Sequence, residues 1–167
     1  MRLKFSNIII FLVLCGFVFA MTQLASNVNF SGKPNKSSEK IADFSYTDMN
    51  GVSGNLYSVS GQAVIIHFWA TWCPPCIEEL PALLDRAHRE KGVKFILVSV
   101  DKDEQQVINF LKPYPARLPN VISIVDTEQS ISSAMKIAQF PETLIVNSDL
   151  TIRKHLTGAV RWKNYPL

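Results

Sequence analysis

Two cysteines, Cys73 and Cys76, are separated only by Pro74 and Pro75. A pair with this spacing can close and reopen a small disulfide, but the loop it encloses is too short to stabilise a domain much by restricting the unfolded chain. The spacing is therefore typical of thiol–disulfide exchange, in which one thiolate attacks a disulfide and the second cysteine resolves the mixed disulfide.

The position of the pair along the chain assigns these two roles. It lies where an apolar strand pattern gives way to a helical pattern, at the predicted start of a helix. Free N–H groups and the dipole at a helix N-terminus stabilise an anion, so we expect a pKa of the Cys73 thiol below its ordinary value of about 8.5. We expect Cys76, one turn later, to be more buried and to act as the resolving cysteine. Pro74 and Pro75 fix φ at the helix start and stiffen the ring.

The same cysteine spacing also occurs in zinc sites, but a structural zinc ion takes four ligands. The sequence has no second pair of this kind, and His67, His88 and His155 fall in different predicted elements. We therefore predict no metal site and no cofactor.

Hydropathy patterns predict alternating strands and helices after residue 40. Apolar runs between turn residues indicate buried strands, and apolar residues three and four positions apart indicate helices. The predicted strands are a hairpin made by Phe44–Tyr46 and Leu56–Tyr57, then Ala63–Ala70, Val93–Val100, Val121–Val125, Thr143–Asn147 and Thr151–His155. The predicted helices run from about Pro74 to Glu90 with Pro81 inside, around Val107–Leu111 and over Ser130–Ile137, with a proline-rich loop at Lys112–Pro119.

This order of elements defines the fold class. Strand–helix–strand repeats require right-handed crossovers and a sheet covered on both faces. The two closing strands, joined by a turn at Ser148-Asp149, make the sheet mixed. We predict an α/β domain over residues 41–167, with a central mixed β-sheet flanked by helices and an N-terminal β-hairpin extension.

The N-terminus has the pattern of an export signal. Arg2 and Lys4 precede an apolar run, as in a secretory signal. Residues 1–25 are interpreted either as a cleaved signal peptide or as a retained membrane anchor over residues 8–25, since a membrane span needs about 20 apolar residues. Residues 26–40 are polar and aperiodic, which predicts a flexible linker. Both interpretations place the domain in the periplasm or another extracytoplasmic compartment, where disulfides persist.

The charge distribution argues against nucleic acid as a partner. The whole chain has a formal net charge of +3, but residues 41–167 hold 12 basic and 13 acidic side chains. The basic excess belongs to the leader and linker, whereas a nucleic-acid-binding domain needs a basic face of its own.

The segment FWATWCPPC, followed by IEELP, resembles the TlpA/ResA/DsbE branch of the thioredoxin superfamily, which has a redoxin-like domain of the AhpC/TSA type. The similarity covers about Ile41 to Gly158. It implies a thioredoxin-like fold and an exported, often membrane-tethered oxidoreductase, many relatives of which act in cytochrome c maturation. It also implies protein disulfides as substrates and a membrane thiol–disulfide protein as electron donor.

The resemblance implies roles for residues outside the cysteine pair. Pro141, which precedes the strand after the third helix, matches a superfamily proline that has a cis peptide bond and faces the cysteines. Glu79 falls where the branch carries an acidic residue near the site, with an exposed helical charge as the alternative. Trp72 belongs to the motif itself, directly before Cys73.

The chain departs from the family pattern at two places. His67 stands two residues before Trp69, where thioredoxins have a buried Asp that moves protons for the resolving cysteine and this branch often has Asn. A histidine titrates near neutral pH and could relay protons; a hydrogen-bonded core histidine is the alternative. The second departure is the end of the chain at Leu167, which leaves no room for the usual long final helix.

The expected function is reduction of disulfides in exported proteins such as apocytochrome c, by a protein tethered to the membrane or exported. One alternative is an oxidoreductase that forms or isomerises disulfides. Another is a redox-inert binding or chaperone module, against which the intact cysteine pair argues. A peroxidase would need a lone peroxidatic cysteine in a different loop, which the sequence does not show.

Overall fold

A computed structural model describes residues 39–114 and 118–167 of the chain. The predicted signal peptide or anchor, most of the predicted linker and part of the proline-rich loop lie outside these residues. Within the described part, no helix is long and apolar enough to cross a membrane.

A short antiparallel hairpin opens the domain, formed by β1 (Ser45–Thr47) and β2 (Ser53–Asn55). The predicted second strand at Leu56–Tyr57 is wrong, because Leu56–Val59 forms a 3₁₀ turn. The Asn55 side chain starts this turn by accepting a hydrogen bond from the Ser58 N–H at 2.8 Å. A Cβ at Gly54 would lie 2.8 Å from the Tyr46 hydroxyl oxygen, so a larger residue there would displace the end of the Tyr46 side chain.

The centre of the domain is a mixed five-stranded sheet in the order β5-β4-β3-β6-β7. β3, β4 and β5 are parallel, β6 is antiparallel to β3, and β7 is antiparallel to β6. The strands are β3 (Ala63–Trp69), β4 (Val93–Ser99), β5 (Val121–Val125), β6 (Glu142–Val146) and β7 (Ile152–Thr157). The predicted fold class and order of elements are confirmed, with strand ends that differ by one or two residues.

Three helices complete the α/β pattern: α1 (Pro74–Arg89), α2 (Glu104–Leu111) and α3 (Ser130–Ala134). The first contains Pro81, as predicted. The third ends before the predicted Ile137, because Lys136 has a left-handed backbone with φ of 56°. A left-handed residue just after a helix ends it by turning the next N–H groups back onto the last carbonyls, here from Ile137 to Ser132 at 3.0 Å.

The sheet separates two apolar clusters. Successive strand residues point to opposite faces, so Ile65 and Trp69 of β3 pack with α1, while Ile66 and Phe68 pack on the opposite face. Trp162, in a closing 3₁₀ turn at Trp162–Asn164, is fully buried in the α1 cluster. The C-terminal segment therefore helps to cover this face.

The two edges of the sheet are partly covered by backbone. At β7, Lys40 forms a bridge with Thr151, and Ile152 donates a hydrogen bond to the Glu39 carbonyl at 3.0 Å. At β5, the Met49 N–H from the hairpin turn donates to the Ser123 carbonyl at 2.9 Å.

The C-terminal end of α1 is fixed by a buried side chain. The Asn120 amide donates to the carbonyls of Ala87, Glu90 and Val93 at 2.9, 3.0 and 3.1 Å. The last carbonyls of a helix lack partners within the helix, so this amide ties the end of α1 to the start of β5 and β4.

Candidate active site

Cys73 and Cys76 form a disulfide with their Cα atoms 5.3 Å apart. Cys73 is the residue that caps the N-terminus of α1, and Pro74 and Pro75 occupy the first helical positions. The Cys73 carbonyl accepts the first helical hydrogen bond, from the Ile77 N–H at 3.1 Å. Cys73 is 4% exposed and Cys76 is 0% exposed. The pair therefore has the expected helix-start position, with Cys73 as the more accessible residue.

A buried carboxylate holds the loop that leads from β3 to Cys73. Asp101, just after β4, accepts hydrogen bonds from the Thr71 N–H at 2.9 Å and from the Thr71 hydroxyl at 2.6 Å. It also accepts one from the Ser99 hydroxyl at 2.6 Å. Three hydrogen bonds satisfy a carboxylate that is otherwise costly to bury, so Asp101 fixes the backbone immediately before Trp72.

Two aromatic rings border the cysteine loop. Trp72 is 61% exposed, which is unusual for so large an apolar side chain, and its ring meets that of half-buried Phe140 edge to face at 5.9 Å. The Phe140–Pro141 peptide bond is cis, as the family resemblance implied. The expected packing of Pro141 against the sulfurs stays a prediction. Trp72 and Phe140 together present an apolar surface beside the motif.

Glu79 is buried, so its interpretation as an exposed helical charge is wrong. Its Oε2 accepts hydrogen bonds from the Val160 N–H at 2.6 Å and from the Trp162 indole N–H at 3.1 Å. Burial raises the pKa of Glu79 to about 7, and these two hydrogen bonds oppose that rise without cancelling it. The carboxyl group thus titrates near neutral pH.

His67 is fully buried in β3, directly opposite Thr143 of β6. Its Nδ1 lies 2.9 Å from the Thr143 hydroxyl, and its Nε2 lies 3.5 Å from Oε1 of Glu79. The Trp162 ring packs edge to face against the imidazole at 6.3 Å. Burial lowers the pKa of His67 to about 3, so the ring is neutral at physiological pH.

The His67–Glu79 contact joins two atoms that lack other partners. Within the described part of the chain, neither Nε2 of His67 nor Oε1 of Glu79 has a hydrogen-bond partner. A proton on Oε1 would fill the gap between them, consistent with a raised pKa of Glu79 and a lowered pKa of His67. Because Cys76 and Glu79 are three residues apart and both buried on α1, they lie on the same helix face. The arrangement can accept or release a proton one helical turn from Cys76.

Sequence reasoning missed the residues that complete this cluster. Val160 and Trp162 come from the segment after β7, and Thr143 comes from β6. Gly158 turns the chain towards α1 with φ of 86°, a conformation that glycine adopts without strain. The C-terminal segment mixes apolar residues, Trp162 among them, with polar ones, and this mixture has no period that would indicate a partner.

A shallow cavity of about 280 Å³ lies between the start of α1 and the C-terminal segment, lined by residues that include Pro75, Glu78, Glu79 and Trp162. Among residues 39–114 and 118–167, no group of histidine, cysteine, aspartate or glutamate side chains is arranged to hold a metal ion.

Comparison with known proteins assigns the family. Residues 36–165 match the Redoxin family. The thiol-disulfide oxidoreductase ResA of a Bacillus cereus strain is 32% identical over 161 residues, covering 94% of this chain and 88% of the relative. ResA of Bacillus subtilis (strain 168) is 29% identical over 151 residues, covering 89% and 83%.

The fold is also similar to that of a protein of known structure. The crystal structure of StoA from Bacillus subtilis superposes with a TM-score of 0.61 at 27% identity, over 71% of this chain and 90% of that one. The geometry of the cysteine pair and these similarities lead to one conclusion: the chain belongs to the Redoxin family and is a thiol–disulfide oxidoreductase with a thioredoxin-like fold.

Proposed function

We propose that this protein reduces disulfides of exported proteins, such as apocytochrome c, outside the cytoplasm. The observation that carries the proposal is the position of the pair: the more accessible Cys73 lies at the start of α1, and fully buried Cys76 lies one turn from a carboxyl group that titrates near pH 7. A helix start favours the thiolate that makes the first attack, and a proton acceptor near the second thiol favours the attack that resolves the mixed disulfide.

The proposed reaction begins with the reduced pair. The Cys73 thiolate attacks one sulfur of the substrate disulfide, a mixed disulfide forms, and one substrate thiolate leaves and takes up a proton. Cys76 then loses its proton to Glu79 and attacks Sγ of Cys73, which releases the second substrate thiolate. Two electrons pass from the dithiol to the substrate, and the Cys73–Cys76 disulfide of this structure is the product state.

The supporting residues have separate proposed roles. Pro74 and Pro75 keep the ring stiff, while Trp72 and Pro141 border the place where the substrate disulfide docks. Glu79 holds the proton of the resolving step. His67 keeps the Glu79 carboxyl group in place and disfavours its ionisation by excluding water from its Oε1.

The proposed location and partners follow from the N-terminal sequence and from relatives. Residues 1–25 would export the domain or anchor it to the membrane, and residues 26–40 would let it reach a membrane thiol–disulfide donor that regenerates the dithiol. An oxidising compartment supports this arrangement, since a reductant there needs its own electron supply.

The direction of electron flow is tested by equilibrating the protein with glutathione and reading the fluorescence of Trp69 and Trp72. We expect a potential towards the reducing end of the range of about −270 to −120 mV that such pairs span. A double Cys73→Ser, Cys76→Ser variant is the control and is expected to show no transition. A potential of about −120 mV, together with rapid oxidation of a reduced substrate protein, would contradict the proposed reductase function and favour an oxidase.

The substrate is tested with a Cys76→Ala variant, which cannot resolve the mixed disulfide. We expect it to retain a haem-binding-motif peptide from an apocytochrome c as a covalent adduct that dithiothreitol releases. A Cys73→Ala variant is the matched control and is expected to retain none. Equal trapping of unrelated disulfide peptides would make apocytochrome c one substrate among many.

A further inference from the structure

A third buried carboxyl group, besides Asp101 and Glu79, holds the loop that borders the cysteine motif, in a position that the exchange reaction does not use. Glu142 is the first residue of β6, directly after the cis-bonded Pro141, and it is buried between β3 and β7. In the sheet it lies opposite Phe68 on one side and Thr157 on the other. A carboxylate at such a position is costly unless its oxygens are hydrogen-bonded.

The partners of Glu142 belong to the loop that carries Phe140. Its Oε2 accepts hydrogen bonds from the N–H groups of Ala138 and Gln139 at 3.2 and 3.3 Å. Its Oε1 contacts Nε2 of His155, a half-exposed side chain on β7. The carboxylate thus ties the two residues before Phe140 to the central sheet on one side and to the edge strand on the other.

The loop held in this way ends at the aromatic surface of the site. Phe140 packs edge to face against Trp72, which directly precedes Cys73. On the opposite side, Asp101 holds the backbone at Thr71. Each ring of the Trp72–Phe140 pair therefore has a buried carboxylate that fixes the backbone one or two residues before it.

We propose that Glu142 is a positioning residue for substrate docking: by holding Ala138 and Gln139, it keeps Phe140 against Trp72 so that a peptide disulfide can lie across both rings at Cys73. The inference rests on the proposed function in that it concerns a peptide substrate at the same site. Peptide-sized substrates need this surface, whereas a small disulfide needs only access to the Cys73 sulfur.

The test compares two disulfide probes on the reduced protein. One is a synthetic peptide with a single intramolecular disulfide, and the other is 4,4′-dithiodipyridine. We expect Glu142→Ala to lower the second-order rate constant for the peptide about tenfold, as expected for losing the equivalent of one or two hydrogen bonds in the docked state. The rate constant for dithiodipyridine should change by less than about twofold, within the range of a neutral surface change.

Three further variants separate positioning from general destabilisation. Glu142→Gln retains an oxygen that accepts from the loop N–H groups and is expected to recover most of the peptide rate. Phe140→Ala keeps the carboxylate but removes the ring, and is expected to show the same selective loss. Asn120→Ala weakens the opposite end of α1 and is expected to leave the ratio of the two rate constants unchanged.

A spectroscopic signature accompanies the kinetics. Because the Trp72 and Phe140 rings meet edge to face, the NMR shifts of the Trp72 ring are expected to move in Glu142→Ala and Phe140→Ala towards a common value. The inference is overturned if Glu142→Ala lowers both rate constants equally, or lowers neither, or leaves the Trp72 shifts unchanged. If the protein proves to be an oxidase, the effect of Glu142→Ala on the peptide is measured with oxidised protein and reduced peptide. The proposed role of Glu142 is thus tested independently of the proposed direction of electron flow.

Discussion

Nε2 of His67 and Oε1 of Glu79 face each other at 3.5 Å inside the core, one from the central strand and one from the helix that carries the cysteines. Burial moves their pKa values in opposite directions, to about 3 for His67 and about 7 for Glu79. Both shifts favour the neutral form of each group, so the pair has no net charge in mildly acidic solution.

The opposite shifts predict opposite pH dependences of stability. In His67→Asn, the folded protein keeps the Glu79 proton up to about pH 7, whereas the unfolded chain releases it near 4.5, so the free energy of unfolding falls as pH rises through this window. In Glu79→Gln, the unfolded chain binds a proton at His67 below about 6.5 that the folded protein does not bind until about 3. Its free energy of unfolding therefore falls as pH decreases from 6.5 towards 3.

Urea denaturation of the oxidised variants between pH 4 and 8 measures both slopes. The pKa of Glu79 rises from 4.5 in the unfolded chain to about 7 in the folded protein. This difference limits the contribution of Glu79 to the free energy of unfolding to about 3 kcal/mol. Subtracting each variant from the wild type cancels the contribution of the other carboxylates, so the His67→Asn difference reports the slope due to His67 and the Glu79→Gln difference reports the slope due to Glu79. If either substitution removes the pH dependence of stability due to His67 and also that due to Glu79, the two groups share one proton and titrate as a unit.

The exposure of the two cysteines predicts their order of reaction. In the reduced protein we expect iodoacetamide to modify Cys73 before Cys76, because Cys73 lies at the free helix N-terminus and Cys76 is fully buried. Mass spectrometry of peptides after short exposure gives the ratio of labels. The Cys73→Ser variant is expected to alkylate more slowly than Cys76→Ser at every pH between 6 and 8; the reverse order would exchange the assigned roles.

The hydrogen bonds of Asp101 predict a local effect on the cysteine loop. Asp101→Asn replaces one accepting oxygen by a donor facing Thr71 or Ser99, and we expect a loss of about 1 to 3 kcal/mol in stability. The Thr71 amide is expected to exchange with solvent faster, as measured by hydrogen exchange. Asn120→Ala is the matched control: a similar loss of stability with unchanged exchange at Thr71. Equal exchange in both variants would make Asp101 a general stabilising residue.

The direction of the reaction predicts which redox form is more stable. A dithiol becomes a strong oxidant when its reduced form is stabilised in the folded protein. For a reductase we therefore expect the oxidised protein to unfold at a higher denaturant concentration than the reduced protein, with tryptophan fluorescence as the probe. The Cys73→Ser variant serves as the reference without a disulfide. A more stable reduced form would support the oxidase alternative.

The sequence predicted those parts of the molecule that depend on local pattern. The buried runs of β3 and β4 and the cysteines at the start of α1 follow directly from hydropathy and spacing, and they are confirmed. The hairpin shows where hydropathy patterns fail as a predictor. Leu56 is buried and fits a strand pattern, but the hydrogen bond that the Asn55 side chain accepts begins a 3₁₀ turn there. Side-chain hydrogen bonds of Asn55, Ser58 and Asp43 therefore outweighed the strand pattern of an apolar pair.

The environment of Glu79 lay beyond local reasoning. Its partners, Val160 and Trp162, are about eighty residues away in sequence, and no periodicity relates them. Whether a helical glutamate is exposed or buried depends on what packs over it, here a segment without a predicted element. The same holds for Glu142, whose role depends on the loop before it rather than on its strand pattern.

The covered edges of the sheet bear on self-association. An open edge strand offers unpaired N–H and C=O groups to a second molecule, and proteins block it with other backbone segments or with charge. Here the Glu39–Lys40 segment occupies the edge of β7 near Ile152, and exposed Arg153 and Lys154 follow along that strand. These features disfavour pairing of the β7 edge with the sheet of a neighbouring molecule, at an edge that β6 separates from the strand leading to the cysteine pair.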